Sequence, residues 1–239
     1  MNNFDEELIK KYVPQEQLEE ALEKLHSGYP VQYIIGNVEF YGNIINVNED
    51  VLIPRFETEY LVDDLLKYIK EYGFNKPSII DVGTGSGCIA IALKKSVDCD
   101  VSALDISSKA INVAKENAKI NDVNINFINE DIVTCEFNQK YDVLVSNPPY
   151  VAKDIVVDEK TKYEPQNAIF ADDNGLFFYK VILEKTLSCL NTKNIIAFEI
   201  GHDQAETIKD LCKEYYPNAK IIAKNDLNDF NRYIYVIND

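Results

Sequence analysis

The chain has few of the residues that build metal centres, and it is poor in positive charge. Its 239 residues hold two histidines, His26 and His202, and five cysteines, at 88, 99, 135, 189 and 212. No cysteines form a C-x-x-C pair and none shares metal-ligand spacing with a histidine, which argues against a zinc site or any other bound metal. An odd set of cysteines without such a framework reads as reduced thiols in the cytoplasm. Lys and Arg total 24 against 40 Asp and Glu, a formal charge of −16. No dense Lys/Arg run offsets this, so a tight grip on bare nucleic acid, which needs a basic face, is not expected. Long apolar runs are missing too: none approaches the roughly 18 residues of a membrane span. The acidic start, Met1 to Glu7, lacks the apolar core of a signal peptide. A cytosolic monomer that stays off membranes is the expectation. No internal repeat, low-complexity segment or Pro/Gly/Ser linker divides the chain.

What is present is regular alternation. Residues 4–12 and 14–26 read as short helices, with Leu18, Ala21, Leu22 and Leu25 at helical spacing. The β-rich runs Val31–Gly36 and Val38–Val47 read as a hairpin or short paired strands. After a helix at 57–72, strands at 78–82, 101–104, 125–128, 141–146 and 194–200 alternate with helices at 86–96, 108–120, 175–190 and 203–215. Residues 151–173 read as a loop or flap. Strands at 219–224 and 232–237 follow each other directly and should pair antiparallel at one edge. Apolar strands alternating with helices imply an α/β fold, a doubly wound, mostly parallel seven-stranded sheet. A soft boundary near residue 50 separates a 1–50 helix and hairpin extension from a 51–239 domain that carries the sheet.

Two stretches carry chemistry. In Asp81-Val82-Gly83-Thr84-Gly85-Ser86-Gly87 a strand runs through a Gly-rich turn into a helix. The glycines let the turn tighten and the backbone approach a ligand. The spacing is not the G-x-G-x-x-G of a dinucleotide fold, and no Gly-Lys-Ser/Thr follows, so a P-loop is excluded. An acid two residues before Gly83 would repel a pyrophosphate but not a cation, so a phosphate-free cationic cofactor fits. Asp105, ending the next strand, suits ribose hydroxyls, with a helix N-cap as the plainer alternative. Asp131 follows the third strand with the apolar Ile132 after it; a polar ligand group facing Asp131 with a ring on Ile132 is one reading, and a solvated loop acid is the plainer alternative.

The second stretch is Asn147-Pro148-Pro149-Tyr150, which ends an apolar strand. Two prolines cannot continue a central strand, so the chain leaves the sheet stiff and extended. Asn147 Oδ1 and the Pro148 carbonyl then stand as adjacent acceptors for a flat NH2 group, and Tyr150 can cover that group with its ring. Pro149 completes the rigid wall. Both stretches lie at strand C-terminal ends, where open α/β sheets bind ligands.

The Asp81-x-Gly-x-Gly-x-Gly pattern resembles the first motif of S-adenosylmethionine-dependent methyltransferases. Together with Asp105 and Asn147-Pro148-Pro149-Tyr150, the chain resembles the release factor glutamine N5-methyltransferases. Pro30 to Gly36, Val51 to Arg55 with Glu57-Thr58-Glu59, Tyr163 to Ala168 with Gly175-Leu176, and Glu199-Ile200-Gly201 are similar to further segments of that family. Phe56 stands where the family usually has proline, and the N-terminal helical part, which the resemblance implies as part of a 1–50 substrate-docking region, is shorter than the family norm. The resemblance implies S-adenosyl-L-methionine as cofactor and peptide chain release factors as partners, methylated on the glutamine of a Gly-Gly-Gln tip.

The cofactor would then be held by Asp81, Gly83, Thr84, Gly85, Ser86, Gly87, Asp105, Asp131, Ile132 and Asn147. Asn147, Pro148 and Tyr150 are the catalytic candidates; with Pro149 and Arg55 they are also the substrate-binding candidates. For Arg55 an inert exposed side chain is the alternative. Glu164 and Glu199 are candidates for shaping the pocket, and His202 for beginning a helix without chemistry. The rival enzyme reading is a nucleic-acid methyltransferase acting on adenine N6 or guanine N2, also flat NH2 groups. It needs a basic track for the flanking backbone. A cofactor-binding scaffold and a nicotinamide dehydrogenase are further alternatives; the intact Asn147 opposes the first and the glycine spacing the second.

Overall fold

A computed structural model describes residues 3–239. Helices α1 (Asn3–Tyr12), α2 (Leu18–His26) and α3 (Val31–Ile35) come first, then a hairpin of β1 (Asn37–Phe40) and β2 (Asn43–Asn46). The rest runs α4 (Phe56–Glu71), β3 (Ser78–Val82), α5 (Cys88–Ser96), β4 (Asp100–Asp105), α6 (Ser108–Ile120), β5 (Asn126–Asn129) and β6 (Tyr141–Ser146). The two-residue strands β7 (Val151–Ala152) and β8 (Phe170–Ala171) precede α7 (Phe177–Cys189), β9 (Leu190–Glu199), α8 (Ala205–Tyr215), β10 (Lys220–Asn225) and β11 (Asn231–Asn238).

The main sheet has seven strands in the order β10-β11-β9-β6-β3-β4-β5. Only β11 runs against its neighbours β9 and β10; the ladders joining β9, β6, β3, β4 and β5 are parallel. The expected sheet and its antiparallel edge pair are both present. Strand residues alternate between two cores. Ile79, Val143, Val145 and Ala197 face α4 and α5, while Ile80, Leu144, Ile196 and Phe198 face α7 and α8. Burial on both faces explains why these strands read as continuous apolar runs. From β3 the chain winds out to β4 and β5, then returns to β6 on the other side. That reversal opens a crevice between the C-terminal ends of β3 and β6, where ligands bind in such sheets.

The expected strand at 31–36 is a helical turn. Pro30 sits at its N-cap, and Gly36 ends it at φ +85°, its N–H donating to the Gln32 carbonyl. The β-branched residues mislead here because tertiary packing decides: Val31 fills the small core of the N-terminal helices and Tyr33 fills that of the sheet. The hairpin is β1–β2 alone. The expected helix at 14–26 begins only at Leu18, after a 3₁₀ turn at Gln15–Gln17. Residues 151–173 are largely irregular, yet β7 and β8 pair in parallel and several 3₁₀ turns stiffen them.

The hairpin packs on the large domain rather than on the N-terminal helices. Phe40, Ile45 and Val47 belong to the sheet's core, whereas Ile9, Ala21, Leu25 and Val31 form their own. Asn117 of α6 ties the hairpin down: its Oδ1 accepts from Asn46 N–H at 2.8 Å, and its Nδ2 donates to the Asn46 and Ser86 carbonyls at 2.9 Å. Asn117→Ala would remove the partners of one buried and two half-buried backbone groups. We expect a loss of about 1–2 kcal/mol and a melting temperature lower by roughly 2–8 °C in a thermal melt.

Candidate active site

The Gly-rich turn is built on β3 and held by β4. Gly83 and Thr84 both donate N–H to the Leu104 carbonyl, at 2.8 and 3.0 Å. Gly83, Gly85 and Gly87 have φ of +74°, +54° and +82°, the left-handed region that glycine enters without penalty. Gly87 has a second constraint, since a Cβ there would meet the Ala114 side chain of α6 at 3.0 Å. Asp81 lies fully buried beneath the turn. Its Oδ2 accepts from Thr84 Oγ1 at 2.6 Å, while its Oδ1 has no partner. Burial pushes this carboxyl up to about 7, with the nearby Asp105 adding to the shift.

Asp105 leaves the end of β4 with both oxygens aimed at backbone. Oδ2 accepts from Gly85 N–H and Oδ1 from Ser107 N–H, each at 2.9 Å. The N-cap of α6 is Ser107, whose Oγ takes the Ala110 N–H, so Asp105 is free of that duty. Burial raises its carboxyl as well. Asp131 closes a turn through its own carboxylate, with Val133 N–H on Oδ1 at 2.9 Å, and Ile132 is buried beside it.

At the end of β6, Ser146 Oγ donates to the Val82 carbonyl at 2.6 Å, clamping the two strand ends from which Gly83 and Asn147 depart. Asn147 Nδ2 donates to Thr58 Oγ1 at 3.3 Å, and Thr58 Oγ1 donates to Glu199 Oε2 at 2.7 Å. Asn147 Oδ1 is not used in this network. Among the described residues no backbone donor takes the Pro148 carbonyl. The turn is buttressed from behind: Gln204 Nε2 donates to the Tyr150 carbonyl at 3.0 Å, and a Cβ on Gly175 would overlap that same oxygen.

One cavity of about 510 Å³ joins the two stretches. Gly83, Gly85, Asp105, Asp131 and Ile132 line one part of it, and Asn147, Pro148 and Pro149 another. Its charged lining residues are Glu49, Asp50, Asp105 and Asp131; among the described residues no lysine, arginine or histidine lines it. Asp81, Thr84, Ser86 and Gly87 do not line the cavity and instead set the shape of the turn.

Tyr150 does not line it either. Its ring packs on the core shared by Tyr179 and Phe198, and burial there raises its hydroxyl to about 12. Arg55 faces the 151–173 loop, where its Nη2 meets Glu164 Oε1 at 2.6 Å. Glu164 is buried and also accepts from Ile53 N–H at 3.1 Å, so the ion pair clasps the loop to the strap before α4. His202 sits against Phe230, ahead of a helix that starts at Ala205. Among the described residues no group of three or more His, Cys, Asp or Glu could hold a metal ion, and no helix is long and apolar enough to cross a membrane.

The Methyltransferase small domain family matches residues 58–169, the span from the start of α4 through the Asn147 turn. A release factor glutamine methyltransferase of Bacillus anthracis is 39% identical over 226 residues, 90% of this chain and 79% of its own. The chain belongs to the release factor glutamine methyltransferases. A Streptococcus pneumoniae member is 39% identical over 92% of this chain and 78% of its own. The crystal structure of a release factor-specific protein-(glutamine-N5) methyltransferase from Alicyclobacillus acidocaldarius superposes with a TM-score of 0.50 at 25% identity, covering 81% of this chain and 99% of that one.

Against this family background, the site residues that sequence reasoning passed over are Thr58 and the walls supplied by Ile106, Phe177 and Phe178. Thr58 stands in a quoted family segment, but nothing local signals that it reaches Asn147. The Pro165–Ala168 wall does fall within a quoted segment.

Proposed function

We propose that this chain methylates the side-chain amide nitrogen of the Gly-Gly-Gln glutamine in peptide chain release factors, using S-adenosyl-L-methionine. The observation that carries the reading is the single cavity holding the Gly-rich turn and Asn147-Pro148 together, lined by carboxylates and by no cation. Such a lining suits a cofactor without phosphates. The buried, unpartnered Asp81 Oδ1 adds negative potential beneath the turn, which fits a cationic ligand above it. Gly83 and Gly85 offer an open cradle, since a Cβ at either would meet nothing within 4 Å and only φ demands glycine there. Asp105 would take ribose hydroxyls with its remaining lone pairs, and Ile132 with Asp131 the base.

When bound, the cofactor supplies an electrophilic methyl group on a sulfonium. The protein's own task is to present a poor nucleophile. An amide nitrogen is unreactive because its lone pair is delocalised into the carbonyl. Asn147 Oδ1 and the Pro148 carbonyl each accept one of its N–H groups, which draws electron density onto nitrogen and fixes the lone pair away from the turn. Positioning and fixed dipoles provide the rate gain. The N–C bond would form as the methyl's bond to sulfur breaks, leaving a neutral thioether; the nitrogen, acidic only once it carries positive charge, would then release one N–H proton to solvent, so no strong base is needed beforehand. Tyr150 packs behind the turn against the core, and Arg55, through the Glu164 clasp, holds the loop whose Pro165 and Ala168 wall the cavity.

The nucleic-acid reading is weaker, because a flipped base needs cations for its flanking phosphates and none lines this cavity. The test is incubation with labelled S-adenosylmethionine and purified release factor, its Gln-to-Ala variant, and total tRNA and rRNA. Label should enter the release factor alone and vanish with the Gln-to-Ala change. Label in RNA, or in both release factors, would overturn the assignment.

A further inference from the structure

We propose that Thr58 and Glu199 are positioning residues that fix which end of the Asn147 carboxamide faces the substrate, and so make the turn select an NH2 group. The inference rests on the reading of Asn147 as the acceptor of a substrate N–H. An asparagine side chain is nearly symmetric in shape, and its oxygen and nitrogen are told apart only by their partners. Facing the cavity with its nitrogen, Asn147 would repel the amide it must hold.

The network behind it decides the orientation. A hydroxyl has one hydrogen to give, and an ionised carboxylate can only accept. Thr58 Oγ1 gives its hydrogen to Glu199 Oε2 at 2.7 Å, so the hydroxyl can only accept from its other neighbour. That neighbour is Asn147 Nδ2, at 3.3 Å. The nitrogen end is thereby held inward and Oδ1 is left for the cavity. Neither Thr58 nor Glu199 lines the cavity; both are 2% exposed.

The surrounding frame keeps them in register. Tyr179 Oη donates to the Glu199 carbonyl and Tyr233 Oη to the Glu57 carbonyl, each at 2.7 Å. A buried carboxylate with no ion-pair partner within 4.0 Å among the described residues is costly. That cost has a use if the acceptor-only character of the carboxylate is what the site needs.

Glu199 is faced by Thr58 and Glu57 from α4, Cys88 from α5, Asn147 and Tyr150 from the turn, Tyr179 from α7, and Arg232, Tyr233 and Tyr235 from β11. Burial raises its carboxyl to about 7 against the pull of Thr58 and Arg232. Protonated, Glu199 gains a hydrogen to give, and Thr58 is released to donate toward Asn147. Turnover should therefore rise with pH through that titration.

The experiment compares Thr58→Ser, Thr58→Val, Glu199→Gln and Asn147→Ala by kcat and KM for the release factor, the pH dependence of kcat, cofactor affinity by calorimetry, and thermal melting. Thr58→Val and Glu199→Gln should each lose about 10²-fold in kcat, the scale of a misplaced reacting group. Their cofactor affinity should stay within a few-fold and their folds should be intact. Thr58→Ser should restore the rate, and Glu199→Gln should abolish the alkaline rise in kcat. Wild-type rates in both Thr58→Val and Glu199→Gln overturn the proposal, as does an activity loss that tracks melting temperature or that serine fails to rescue. Asn147→Ala separates the two readings: if it still turns over, the acceptor role itself fails; if it is inactive while the other variants are normal, only the positioning role fails.

Discussion

Asn147→Ala should lower kcat by at least about 10²–10³-fold, the usual result of deleting one preorganised dipole at a reacting centre. The substitution removes one of the two acceptors proposed for the substrate amide and leaves the Pro148 carbonyl alone. A single acceptor leaves the amide free to rotate about the remaining N–H···O bond, so both activation and aim are lost. The effect should fall on kcat, with cofactor affinity changed only a few-fold. Gly83, Gly85, Asp105 and Asp131 line the cavity independently of this side chain. Rapid-quench methyl transfer with saturating release factor, beside calorimetry of the cofactor, checks both halves. Near-normal single-turnover rates would remove the basis for the whole mechanism.

The parts legible in the sequence were those whose partners lie close along the chain. The Gly-rich turn announces itself because Asp81, Thr84 and Gly87 bond to one another within a few residues. Asn147-Pro148-Pro149 is legible because proline chemistry alone ends a central strand. The sheet was legible because strands buried on both faces read as apolar runs between amphipathic helices.

The failures share the opposite property. Thr58 meets Asn147 across 89 residues and Glu199 across 141, and no spacing rule links them. Asn117 reaches back 71 residues to the hairpin. Val31–Ile35 has strand-like composition, and only its packing between two cores makes it helical. Tyr150 follows the motif in sequence, yet its half-buried ring packs against the core and is not among the residues that line the cavity. Arg55 and Glu164 form a clasp that neither segment reveals by itself, since 109 residues separate them.

Asp81→Asn should stabilise the ligand-free protein at alkaline pH while weakening its cofactor binding. Burial raises the Asp81 carboxyl from 3.8 to about 7. Between those values the unfolded chain has released the proton and the folded chain still holds it. Stability therefore falls as pH rises across that window, by up to about 1.4 kcal/mol per pH unit, and the full cost is present above it. Glu199, raised from 4.5 to about 7, acts with the same sign, so the wild type should show a compound slope. Asparagine keeps an acceptor for Thr84 Oγ1 and never ionises, which removes the Asp81 share of the slope and leaves those of Glu199 and Asp105. We expect the variant to be more stable than the wild type at pH 8 by a gain on the order of 4 kcal/mol, a melting temperature higher by roughly 8–16 °C, with the gap narrowing as pH falls toward 5 and closing only below the unfolded carboxyl's range. Cofactor affinity should drop about tenfold or more, because the negative potential beneath the turn is gone. Melts from pH 5 to 8.5 without ligand, and calorimetry at pH 8, measure the two effects separately. A variant no more stable than wild type at pH 8 would mean that Asp81 is not held against its ionisation. Unchanged affinity would mean that its charge does not reach the ligand.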